Sequence, residues 1–140
     1  MADATPALRR LWNIGAKVVD VGAEAAFLER LGGRKRLHEG QGAPDEYAFV
    51  DVGATRVLLT TTPIYEGKLG APMPAGWTHT VFEAGGDHAD TCRRIEVAGA
   101  EPLMKSRRLE AGYGKRDVAF FRSPGGLIFE ALHIIEDHMD

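Results

Sequence analysis

The sequence predicts an α+β fold made of two successive βαβββ runs, and three observations carry that expectation. Strand-like and helix-like stretches recur in the same order on either side of a Pro/Gly-rich segment, Thr62 to Gly76. The two halves align at a displacement of 66, which sets Asn13 on His79, Ala16 on Phe82 and Gly33 on Gly99 (79 − 13 = 99 − 33 = 66). The final strand of the second run is apolar apart from one carboxylate, Glu130, and follows the turn signal Pro124-Gly125-Gly126. The repeat lies in the architecture, since few residues are shared.

Each element follows from local pattern. Met1 to Arg10 is polar and reads as a frayed end. Leu11 to Val19 reads as a strand with imperfect alternation, and Asp20-Val21-Gly22 breaks it. A short helix runs from Ala23 to Leu31, with Ala26, Phe27 and Leu31 toward the core, and Gly32-Gly33 ends it. Arg34 to Glu39 is a basic strand suited to an edge. Glu46 to Val52 and Thr55 to Thr61 form a hairpin about Gly53-Ala54. The linker that follows carries Pro63, Pro72 and Pro74, and its length points to a tethering or functional role.

The second cycle repeats this plan. Trp77 to Ala84 is a strand, and a helix opens at Asp87 or His88 and runs through Ala98, with Cys92, Ile95 and Val97 toward the core. Glu101 to Glu110 is an edge-like strand. Lys115 to Arg122 contains the strand Val118 to Phe121, which turns into the strand Leu127 to Ile135. The expected organisation is one domain over 1–140, with a first module at about 10–62, a linker at 63–76 and a second module at 77–135.

Composition bounds the function. The chain is 44% hydrophobic and 26% charged with a net charge of −3, so it has no basic field for nucleic acid or anionic membrane. No run approaches the roughly 20 apolar residues of a membrane span. Met1 to Arg10 lacks the apolar stretch of an export signal. The lone Cys92 has no intrachain disulfide partner and reads as a packed thiol. A cytoplasmic location is expected.

Glu130 is the informative residue. Strand alternation puts Ile128, Glu130 and Leu132 on one face, and Phe129, Ala131 and His133 on the other. A carboxylate on a buried apolar face is costly unless it is paired or wet. It therefore faces a wet cavity or holds a metal, a proton or a cation.

Three segments together resemble the vicinal oxygen chelate superfamily, which includes glyoxalase I enzymes, extradiol dioxygenases, fosfomycin-modifying enzymes and bleomycin-resistance proteins. Trp77-Thr78-His79-Thr80-Val81-Phe82-Glu83 is similar to the first strand of that family's second module. Ser123-Pro124-Gly125-Gly126-Leu127-Ile128-Phe129-Glu130 is similar to its Asp-Pro-x-Gly-Asn-x-x-Glu turn and strand. Tyr113-Gly114-Lys115-Arg116-Asp117-Val118-Ala119-Phe120 is similar to the segment leading into that turn. The resemblance implies two βαβββ modules curled into half-barrels, a curved mixed sheet around a cavity, and a homodimer. It also implies a divalent metal, Zn²⁺, Mn²⁺, Ni²⁺ or Fe²⁺, held by His79 and Glu130 with Asn13 assisting. Asn13 stands where the family usually has His. The family's remaining carboxylate falls at Val57 or Leu58, neither of which binds metal, and Ser123 replaces the usual Asp.

Two functional classes remain open at this stage. One is an enzyme of lyase, isomerase or dioxygenase type with a degenerate metal site, in which Glu130 and His79 are catalytic. The other is a metal-free binding or antibiotic-sequestering protein, in which His79 and Glu130 hydrogen-bond each other. Trp12, Trp77, Tyr65, Tyr113 and Phe82 would offer aromatic surface to a small-molecule ligand, or simply fill the barrel. Arg107, Arg108, Lys115 and Arg116 would receive an anionic substrate, or form a solvated edge. His38 and His133 read as packing or solvated groups, His88 as a helix start and His138 as part of a frayed tail. Retention of a carboxylate on a buried strand favours the enzyme.

Overall fold

Eight strands and two helices follow the predicted order in the computed structural model, which describes residues 6–139. The first module comprises β1 (Leu8–Lys17), α1 (Val21–Arg30), β2 (Arg34–Glu39), β3 (Tyr47–Val52) and β4 (Thr55–Thr60). The second comprises β5 (Gly76–Ala84), α2 (His88–Val97), β6 (Glu101–Ala111), β7 (Gly114–Arg122) and β8 (Ile128–Asp137). All eight strands join one mixed, curled sheet in the order β2-β3-β4-β1-β5-β8-β7-β6. Each module thus orders its strands alike, and the two first strands meet at the centre.

That central pairing is self-complementary. β1 and β5 run antiparallel with Asn13 opposite Val81, Ile14 opposite Thr80 and Gly15 opposite His79. Adding 66 to the β1 residues of these pairs regenerates the β5 partners in reverse order. The bulges obey the same relation: Trp12 is the extra residue on β1 and Thr78 the extra residue on β5 (78 − 12 = 66). A pseudo-twofold therefore passes by the Ile14–Thr80 pair and brings both modules' first strands to one cavity.

The helices cover the outer face, and their caps decide where they start. Asp20 accepts a hydrogen bond from Ala23 N at 2.9 Å, and Asp87 accepts one from Ala89 N at 2.8 Å. α1 thus begins at Val21, inside the stretch expected to be a break. Its buried residues are Val21 and Ala25, with Leu28 packed beside them, while Phe27 and Leu31 are exposed. The spacing i, i+4, i+7 is the face a helix presents to a sheet. α2 buries Thr91 and Ile95, whereas Val97 points outward. Gly32, with φ at +96°, ends α1 where Gly99, at +113°, ends α2, so one extra residue separates strand from helix in the second module.

Other boundaries shift by a few residues. β1 begins at Leu8, so Leu8 to Arg10 are strand where a frayed end was expected, and residues 1–5 of that stretch lie outside the described residues. Arg10 pairs with Glu83 on β5 at 3.1 Å. The turn before β8 is tied by Ser123, whose Oγ accepts from Leu127 N at 3.0 Å, doing what an Asp would do there. Among the described residues no helix is long and apolar enough to cross a membrane.

Candidate functional site

The concave face of the sheet holds a cavity of about 260 Å³, lined by residues from both modules. Asn13 on β1, Leu58 on β4, His79 on β5 and Glu130 on β8 occupy its four pseudo-symmetric positions. The strand register fixes which first-module residue answers to Glu130. Glu130 stands beside Val81 in the parallel β5–β8 pair, and Leu58 stands beside Gly15 in the β1–β4 pair. Since 81 − 15 = 66, Leu58 is the counterpart, and Val57 belongs to the outer core under α1.

His79 and Glu130 face each other across this space. His79 Nε2 lies 3.7 Å from Glu130 Oε1, and both residues are buried. That separation exceeds a hydrogen bond, and Nε2 is buried with no hydrogen-bond partner. The opposite edge of the ring is well held: Nδ1 lies 2.9 Å from Thr78 Oγ1 and 3.2 Å from the Tyr65 hydroxyl. Tyr65 and Phe120 pack around the imidazole with ring centroids at 5.2 and 5.4 Å. Gly15 makes room for it, because a Cβ there would overlap Cε1 and come within 2.8 Å of Nδ1.

Tyr65 comes from the linker, which is no loose tether. A short 3₁₀ turn at Glu66–Lys68 is pinned by Lys17 to Glu66 at 2.6 Å and by Met73 N to Glu66 at 3.2 Å. Tyr65 is fully buried, and burial pushes its hydroxyl pKa up to about 12, with Glu130 and Glu66 adding to the shift. It therefore acts near neutral pH as a neutral hydrogen-bonding group. Sequence reasoning named Tyr65 only as an aromatic near the cavity; nothing local shows that a linker tyrosine would orient His79.

Arg116 and Tyr113 also line the cavity. Arg116 is 4% exposed, and its guanidinium stacks on the Tyr113 ring at 4.4 Å. Burial pulls its pKa down while Glu130 pulls it up. Its expected companions behave as surface groups: Arg107 is exposed, and exposed Arg108 pairs with Asp117 at 2.7 Å. Tyr47 and Phe49 complete an aromatic wall with Tyr113. Glu39 on β2 closes the rim by accepting from the Tyr47 hydroxyl and from Gly112 N, joining one sheet edge to the β6–β7 turn.

Three expected ligand contacts lie outside the cavity. The Thr78 bulge reverses the alternation of β5, so Trp77 pairs with Ala16, sits 71% exposed and lines a shallow outer groove beside Val18 and Phe27. Phe82 is an odd number of residues from His79 and turns to the outer face, where it packs on Phe129 at 6.2 Å. Trp12 is itself the bulged residue of β1. It packs against the second-module core with the Arg10 and Arg56 guanidinium groups on its ring, and it does not line the cavity. Among the other histidines, His38 pairs with Glu46 at 2.6 Å, and His133 faces His88 on the outer side.

No family model matches the chain, and no curated protein is significantly similar to it in sequence. Solved structures do share its fold. A methylmalonyl-CoA epimerase from Mycobacterium tuberculosis superposes with a TM-score of 0.69 at 15% identity, over 96% of this chain and 94% of that one. A Streptomyces coelicolor methylmalonyl-CoA epimerase in complex with 2-nitronate-propionyl-CoA gives 0.69 at 20% identity, over 92% and 99%. A glyoxalase/bleomycin resistance protein/dioxygenase superfamily member from Vibrio splendidus gives 0.57 at 14%, over 86% and 95%. At these identities the likeness shows the fold alone, which is glyoxalase-like.

Proposed function

We propose that this chain is a small-molecule enzyme of isomerase or lyase type, moving a proton at a substrate carbon beside a carbonyl. The observation that carries this reading is the His79–Glu130 pair, 3.7 Å apart in one cavity with His79 Nε2 unpartnered. Two polar groups held apart on a buried face cost stability in themselves. A bound molecule or ion supplies what they lack. Fold neighbours that are epimerases support proton chemistry over the other reaction types the fold hosts.

A divalent ion is the cofactor that the fold implies, and the residues accommodate it. Its bonds to imidazole nitrogen and carboxylate oxygen run about 2.0–2.2 Å, so donors 3.7 Å apart can share one ion. With Nδ1 donating to the Thr78 or Tyr65 hydroxyl, Nε2 presents a bare lone pair, as a metal ligand must. Asn13 would be the third donor, and hydrocarbon Leu58 would contribute none. Bound there, Zn²⁺, Mn²⁺, Ni²⁺ or Fe²⁺ supplies Lewis acidity to a substrate oxygen. The chain's own part is done by Glu130, which takes the carbon's proton and returns it. Tyr65 and Thr78 keep the imidazole fixed meanwhile, and the Tyr47, Phe49 and Tyr113 wall keeps water out.

The test is metal analysis of the purified protein, followed by calorimetric titration with each of the four ions. Stoichiometric uptake is expected, and Glu130→Gln should abolish it. Absence of any binding heat with all four ions would remove the metal-assisted enzyme. A second reading, a metal-free sequestering protein, draws on Leu58 at the fourth corner and on the aromatic wall. It requires aromatic ligands to bind equally well with and without chelator, and Glu130→Gln to leave that binding intact.

A further inference from the structure

The geometry points to Arg116 as the receptor for a substrate carboxylate: the ligand of this cavity is a small monocarboxylic acid with an apolar, ring- or chain-shaped body. The inference rests on the cavity being the small-molecule site proposed above, and it names the class of molecule. Arginine is almost never fully buried unless paired. Arg116 is 96% buried, yet its Nε and Nη2 have no hydrogen-bond partner among the described residues. Exposed guanidinium groups do find carboxylates, as in Arg108 with Asp117, Arg93 with Asp90 and Arg10 with Glu83.

The identity of the two vacant donors matters. Nε–H and the adjacent Nη2–H form one straight edge of the guanidinium, the edge that grips a planar carboxylate through two parallel hydrogen bonds. Glu130 lies in the same cavity but makes no ion pair with this edge. The strand register explains the gap. Arg116 stands opposite Ile134, four positions along β8 from Glu130, so Glu130 acts on the guanidinium as a charge across the cavity without bonding it. The open edge therefore takes its carboxylate from the ligand.

Charge and size narrow the class. Arg116 offers one open edge, which matches a single carboxylate. Tyr113, Tyr47, Phe49 and Phe120 offer flat apolar surface for the body. At about 260 Å³ the cavity falls below the usual range of about 300–1,000 Å³ for small-molecule pockets, which fits a compact acid.

The experiment titrates phenylacetate, benzoate and hexanoate, each against its neutral amide, into the full chain by calorimetry, with and without EDTA. At least one acid should bind at least about tenfold more tightly than its amide. Arg116→Gln should erase that preference, and Arg116→Lys should restore part of it, because it returns the charge without the fork. Circular dichroism melting of the variants establishes that they fold; the acid–amide comparison on the unaltered chain stands without them. Glu130→Gln should retain or tighten acid binding, and EDTA should leave it unchanged, so failure of the metal reading and failure of this one look different. Equal affinity for acids and amides, no binding of any acid, unchanged preference in Arg116→Gln, or loss of acid binding on adding EDTA would each overturn the proposal.

Discussion

The two modules share a fold plan and differ in what they put on the concave face. At the four related positions the second module contributes His79 and Glu130, and the first contributes Asn13 and Leu58. At the adjacent central pair the second has Val81 and the first has Gly15. On the outer face each module buries an apolar cluster under its helix: Ala16, Ala25, Val50 and Leu59 in one, and Ile95, Ala119, Phe121 and Ala131 in the other. The difference teaches that helix-to-sheet packing constrains one side of a duplicated sheet. The cavity side is free to specialise. At these four positions the first module supplies shape and the second supplies the ionisable groups.

Changing one module toward the other tests that division. Leu58→Glu puts a carboxylate at the fourth position and should raise divalent affinity by roughly a hundredfold in calorimetry, the top of the range that outer partners alone command. No gain would mean that the first module no longer faces the same point. Gly15→Ala inserts a Cβ into the His79 ring and should cost about 1–3 kcal/mol in denaturant unfolding, with metal uptake lost as the imidazole is displaced. Tyr65→Phe removes one hydroxyl from Nδ1 and should cost about 1 kcal/mol, while a retained fold with weakened metal binding would mark orientation as its role.

The smallest effect concerns the linker. Glu66 has its pKa held below the ordinary 4.5, chiefly by the hydrogen bond from Lys17. A carboxyl lowered in the folded state adds stability above its unfolded pKa and loses it as pH falls through the folded value. Glu66→Gln should therefore lower the unfolding midpoint slightly at pH 7 and flatten the acid limb below about pH 4.5. Identical pH curves for the two proteins would show that the Lys17 contact does not anchor the linker.

Much of the architecture was readable because it is local. Asp and Gly at helix ends, Pro/Gly turns and alternating apolar runs place every strand within a few residues, and the 66-residue displacement anticipates the central pairing. Less was readable on the site. His79, Glu130, Asn13, Tyr113 and Arg116 do meet in one cavity. Trp77 and Trp12 do not line it, because one-residue bulges at Thr78 and Trp12 break the alternation that a pattern of two assumes. Phe82 was legible in principle, since its parity with His79 already sends it outward.

The sequence alone determined the order of elements, the two-module duplication and the presence of one carboxylate out of place on an apolar strand. Local sterics and side-chain period decide such things within a few residues of chain. Only the tertiary structure decided that Leu58 answers Glu130, that a linker tyrosine braces His79, and that Arg116 is buried with an edge unpaired. Those facts depend on register between distant strands, where a one-residue slip moves a side chain to the other face.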